Sequence, residues 1–184
     1  MRIGSIGLLL AVLVIDPPPA LGQTASGGNA NPVSQSLRDN WNDARRNIKE
    51  SADLMPEVSY SFRPVDSVRT FGQILAHVAG ANYMFCGAAK GEKSPHGEDD
   101  FEKSATTRAA IIKALNDSLA YCDAAYAGFD DRKAGEPVEM PFGPGRGPRV
   151  APLIANIGHV NEHYGNLVTY FRIKGIVPPS SRPR

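Results

Sequence analysis

Residues 150–174, VAPLIANIGHVNEHYGNLVTYFRIK, decide the reading of this chain. The stretch reads as a helix, ended by Gly175 in the C-cap role and by Pro178 and Pro179 beyond it. Within it the run His159-Val160-Asn161-Glu162-His163 sets two histidines at i and i+4. Side chains at that spacing lie one above the other on a helix face, so both imidazoles reach one cation while the backbone stays regular. A third ligand must come from elsewhere. The chain has two other histidines: His77, in another helical stretch, and His96, in a connection rich in Gly, Pro and Asp where a rigid ligand is least expected. His77 is the expected partner.

Working outward, three further stretches read as amphipathic helices. Residues 33–55 set Val33, Leu37, Trp41, Ala44, Ile48, Ala52 and Met55 at helical spacing and stop at Pro56. Residues 68–89, with Asp66 or Ser67 as cap, carry Phe71, Ile74, Leu75, Val78, Tyr83 and Phe85, and His77 falls inside this apolar stretch. Residues 104–128 place Ala109, Ile112, Leu115, Leu119, Cys122 and Tyr126 on an inner face. Residues 57–66 read as an extended segment lying on the bundle. Residues 90–103, KGEKSPHGEDDFEK, form a polar connection long enough to run the length of a bundle, and residues 129–148 form a loop with a short extended piece at 138–142. With four long helices and no convincing strand pair, the fold class is all-α, a four-helix bundle, with the metal site between the second and fourth helices.

The chain of 184 residues begins with Arg2, an apolar run over residues 3–15 and a small-x-small site at Ala20-Leu21-Gly22. This reads as a signal peptide over residues 1–22, so the protein is expected to be exported, to the periplasm or the medium. The run is shorter than the roughly 20 residues of a membrane span, and Asp16 with Pro17, Pro18 and Pro19 interrupts it, so no stable membrane anchor is expected. Residues 23–32, QTASGGNANP, read as a flexible leader, and residues 33–180 as the folded domain. Lys and Arg number 20 against 19 Asp and Glu, a net charge of +1 with no basic stripe, which argues against a nucleic-acid partner.

The segments RTFGQILAHVAGANYMFCG, residues 69–87, and NIGHVNEHYGNLVTYFRIKGIVPPSS, residues 156–181, together resemble the DinB-like superfamily of metal-dependent proteins. Residues 69–87 are similar to that family's helix 2, with its metal histidine at His77. Residues 156–181 are similar to its last helix, with the pair at His159 and His163 and the ending Arg172, Gly175, Pro178, Pro179. The resemblance implies a bundle whose second and third helices run parallel, joined by a long crossover, and a three-histidine site for zinc, nickel or a similar divalent ion. It departs from the family's pattern at Tyr164 and Asn166, where many members carry Arg and Gln. Members with assigned reactions resemble thiol-dependent transferases and isomerases that use largely cytosolic thiols, so export argues against carrying that activity over unchanged.

Three imidazoles suit a borderline divalent ion and leave a coordination position for water or substrate. The bland reading of the same residues is three core histidines, each hydrogen-bonded to a neighbour. Glu162, three residues after His159, is a weak candidate for a catalytic base and reads better as a polar neighbour of the site. The run also spells H-x-x-E-H, an inverted zincin signature, but no Asp or Glu follows His163 to complete that zinc shell. Gln73, His77, Gly80, Ala81 and Met84 share one face, where Gly80 and Ala81 either leave room for a ligand or permit close packing. Cys86 lies 19 residues beyond Ser67 and Cys122 lies 18 beyond Ser104, so parallel helices would set them at similar heights; a disulfide and two buried free thiols both remain open. The expected function is a metal-dependent hydrolase or transferase acting on a small molecule, or else a non-catalytic binding module with a structural ion, either of them compatible with a homodimer.

Overall fold

The computed structural model describes residues 30–97 and 99–183, so the segment expected to be a signal peptide and most of the expected leader lie outside the described residues. Four long helices make the bundle: α1 (Pro32–Leu54), α2 (Phe71–Lys90), α4 (Arg108–Ala127) and α5 (Val150–Ile173). A single turn, α3 (Phe101–Ser104), lies in the crossover between α2 and α4. Among the described residues no helix is long and apolar enough to cross a membrane.

Side-chain pairs fix the directions. Gly72 sits against Ile111, Asn82 donates to Ser118 at 3.1 Å, and Cys86 is disulfide-bonded to Cys122, so α2 and α4 run parallel. Phe71 packs edge-on to Phe171 at one end of α5 while Arg149 reaches the Ala89 carbonyl at the other, so α2 and α5 are antiparallel. Trp41 stacks on Tyr126 with ring centroids 4.8 Å apart and donates to Asp123, which sets α1 against α4. The core runs along these seams through Trp41, Ile48, Leu75, Leu115, Leu153 and Leu167, each 1 % exposed or less.

Several sequence expectations are corrected. The helix carrying His77 begins at Phe71, not at residue 68: Thr70 and Gln73 form a capping box in which each side chain accepts the other's backbone N–H, a stronger stop than Asp66 or Ser67 supplies. Arg69 therefore stands outside the helix. The next long helix starts at Arg108, because residues 105–107 are non-helical and the Thr107 side chain caps the helix by accepting the Ala110 N–H, and its buried seam opens on Ile111 in place of Ala109 and Ile112. Val33 is 46 % exposed at the start of α1, where Asp131 caps the Val33 and Ser34 N–H groups at 2.9 and 2.7 Å. A two-stranded hairpin, β1 (Pro137–Glu139) with β2 (Arg146–Pro148), replaces the single extended piece. Its strands are too short to show alternation, and its loop uses Gly143 and Gly145 at φ of 74° and 115°.

Candidate metal centre

His77 lies in the N-terminal half of α2, and His159 and His163 lie on α5 one turn apart. The antiparallel register that pairs Phe71 with Phe171 brings all three to one level of the bundle. Nε2 of His159 is 3.2 Å from Nε2 of His77 and 3.1 Å from Nε2 of His163, and one ligand atom from each ring falls within 4.8 Å of the others. Two nitrogens bound about 2.0–2.1 Å from one ion are separated by about 3.3 Å at a tetrahedral angle and about 2.9 Å at a right angle. The two separations from His159 fall between these values, and with all three ligand atoms within 4.8 Å of one another the rings are grouped as a single divalent cation requires, a modest turn of the His77 or His163 ring closing the set.

The hydrogen bonds around the rings agree with that fit. Nδ1 of His77 lies 2.9 Å from Glu102 Oε1, and the other oxygen of Glu102 accepts from Arg69 Nε at 2.9 Å. A carboxylate at Nδ1 holds the proton there and turns the Nε2 lone pair toward the cluster, as outer carboxylates do around ligating histidines. Nδ1 of His159 and Nδ1 of His163 are buried without a partner among the described residues. The three inward Nε2 atoms have only one another as partners among the described residues, and a cation between them would satisfy all three at once. Burial, then the neighbouring imidazoles of His163 and His77 and the Arg69 charge, push the His159 pKa down to about 3. Burial foremost lowers that of His163 as well. Both rings are thus held neutral, the form that binds metal.

The three histidines expected from the sequence converge, while the remaining candidates divide. Glu162 is exposed on α5 and makes no hydrogen bond to the three rings. The carboxylate that does touch the cluster is Glu102, on α3, which sequence pattern alone leaves inside a polar connection. The signal available for it is the acidic run Asp99-Asp100 leading into Phe101-Glu102, where Asp100 caps the turn by accepting the Glu102 N–H at 3.0 Å. His96 is not in the cluster; its ring packs between Tyr83 and Phe101, 4.3 and 5.1 Å away. Tyr164 is also withdrawn from the site, its hydroxyl tied to Ser180 at 2.8 Å, whereas Asn166 lines a cavity next to His163.

Two cavities flank the cluster. One of about 440 Å³ opens on His77 and His159 and is floored by Gly80, Ala81 and Met84. A Cβ added to Gly80 would sit 3.5 Å from the Phe101 ring, so the small residues there both leave the opening and admit α3. The other, of about 680 Å³, opens on His163. Both volumes lie within the roughly 300–1,000 Å³ usual for small-molecule sites.

The sequence model of the DinB superfamily matches residues 40–167, while no curated protein matches the chain. Solved structures with the same fold include a DinB-like protein from Bacillus cereus, 18 % identical with a TM-score of 0.66, covering 79 % of this chain and 95 % of its own. A DinB-like protein from Bacillus subtilis is 18 % identical with a TM-score of 0.59, covering 81 % and 99 %. A mycothiol-dependent maleylpyruvate isomerase is 16 % identical with a TM-score of 0.60, covering 73 % of this chain and 60 % of its own.

Proposed function

The chain belongs to the DinB superfamily, and from that premise we propose that it binds one divalent metal ion, zinc or nickel, through His77, His159 and His163 and acts on a small molecule. The observation that carries the reading is the convergence of the three imidazole Nε2 atoms, which among the described residues have only one another as partners, beside two cavities. A bound ion of this kind supplies Lewis acidity, lowering the pKa of water or of a thiol at its open position. The chain's own residues do the rest. Glu102 orients His77 and keeps its proton on Nδ1, and Arg69 in turn holds Glu102. The apolar surroundings of His159 and His163 keep their rings neutral.

The reaction we favour is a hydrolase or transferase step on a water or thiol nucleophile. The thiol branch draws on the mycothiol-dependent isomerase among the structural neighbours. The open cavities favour this over a purely structural ion, which needs no access. The test is turnover of ester, amide and thiol-transfer substrates by metal-loaded protein. Activity that disappears on chelation, returns with the metal and is absent from His159→Ala supports the reading. Activity indifferent to chelation contradicts it.

We also propose that the protein works after export, with Glu162 as an outer polar neighbour of the centre. The Cys86–Cys122 bridge supports the export half, because such bonds persist in oxidising compartments. Fractionation together with N-terminal sequencing tests it: a mature chain starting near residue 23 is expected, and an intact N-terminus in the cytosol would overturn it.

A further inference from the structure

The two cavities beside the cluster differ in charge. The one that opens on His77 and His159 is walled by three carboxylates, those of Asp99, Asp100 and Glu102, against the single charge of Arg69, which lines both cavities. The one that opens on His163 has a single carboxylate, Glu102, which already accepts from both His77 and Arg69. An anion would be repelled from the first and tolerated in the other. The polar wall of the His163-side cavity is Arg69, Gln73, Asn166 and Thr169. Its apolar wall includes Val65 and Val68, large side chains left 57 % and 40 % exposed.

Arg69 is built to receive such a group. Its backbone is pinned just ahead of the capping box, with its carbonyl accepting the Tyr170 hydroxyl at 2.7 Å. Its Nε is committed to Glu102, which fixes the plane of the guanidinium. The two terminal nitrogens have no partner among the described residues, and the side chain is 45 % exposed where it lines the cavity. Its charge is near enough to the cluster to push down the pKa of both His159 and His163. A planar guanidinium with one edge anchored and two donors free matches a carboxylate, which it binds through paired hydrogen bonds.

We propose that the substrate is a small carboxylic acid whose carboxylate docks on Arg69 in the His163-side cavity while its reacting group lies at the three histidines; this rests on the metal reading above. The apolar part of the molecule packs on Val65, Val68 and Ile74, and the Asn166 amide and Thr169 hydroxyl are positioned for a further polar substituent.

The test uses protein loaded with cobalt(II), whose visible spectrum reports both the ion's ligands and any thiol added to it. Mercaptoacetate, 3-mercaptopropionate and 4-mercaptobutyrate are titrated against their methyl esters, which keep the thiol and lose the charge. The best acid is expected to bind about 10-fold or more tightly than its ester. Arg69→Gln, compared at saturating cobalt, should bring the acid-to-ester affinity ratio within the variant down to about one, and Arg69→Lys should restore part of that ratio. Equal binding of acid and ester, equal losses of both in Arg69→Gln, or no response to any thiol overturns the Arg69 assignment while the cobalt spectrum stands. Absence of a cobalt spectrum that depends on His159 overturns the metal reading itself, and this proposal with it.

Discussion

Reducing the Cys86–Cys122 bond should destabilise the protein by an amount set by the loop it closes. The two cysteines are 36 residues apart in sequence, and cross-linking a loop of that size lowers the entropy of the unfolded chain by about 13 cal/mol/K, or about 3.8 kcal/mol at 25 °C. For a domain of this size each kcal/mol moves Tm by about 2–4 °C, so reduction should lower Tm by about 8–15 °C. Reduction keeps both sulfurs in place, so no cavity term enters, whereas a Cys86→Ala/Cys122→Ala chain adds the loss of two fully buried side chains between α2 and α4. Because both cysteines are 0 % exposed, a mild reductant should act on the folded protein only through opening of the bundle. The assay is thermal unfolding by circular dichroism of oxidised and reduced samples, with thiols counted in denaturant. No titratable thiol before reduction and two after it are expected. Two free thiols before reduction, or a Tm shift below about 3 °C, would refute the reasoning.

Glu102→Gln keeps the shape of the side chain but loses the charge that holds the proton on His77 Nδ1, and should weaken metal binding about 10- to 100-fold in a competition titration with a chelator, whereas Glu162→Gln should change it less than about 2-fold. The metal-free protein should lose stability on acidification. His159, with its pKa pushed down to about 3, refuses a proton that the unfolded chain accepts near pH 6.5, so the unfolded state gains as pH falls through that window, by up to about 1.4 kcal/mol per pH unit, and His163 acts in the same sense. Chemical denaturation between pH 7.5 and 4 checks this, and a His159→Ala/His163→Ala chain should show a shallower slope. Thr70→Ala removes half of the α2 capping box and should cost about 1 kcal/mol in the same assay.

The bundle was legible because its helices are long and their buried residues recur at helical spacing, as Trp41, Ala44, Ile48 and Ala52 do on α1. The histidine trio was legible for the same reason: His159 and His163 share a face by spacing alone, and the parallel crossover leaves α2 beside α5. What escaped the sequence is what short-range pattern does not encode. The capping box at Thr70 overrode the expected start of α2, and this placed Arg69 at the mouth of a cavity instead of on a helix face. Glu102 was hidden because its role depends on how the crossover folds back across Gly80, with Phe101 packed over the small residue, a contact between segments 21 residues apart. The hairpin was missed because strands of three residues carry no period.

The central claim is that three side chains hold one ion. Metal content measured by plasma mass spectrometry on tag-free protein, beside His77→Ala, His159→Ala and His163→Ala chains that retain their helical signal, tests it most directly. The account predicts about one divalent ion per chain in the parent protein and loss of it in each variant. Folded parent protein that takes up no zinc, nickel, copper or iron on reconstitution, or variants that keep the ion, would contradict it.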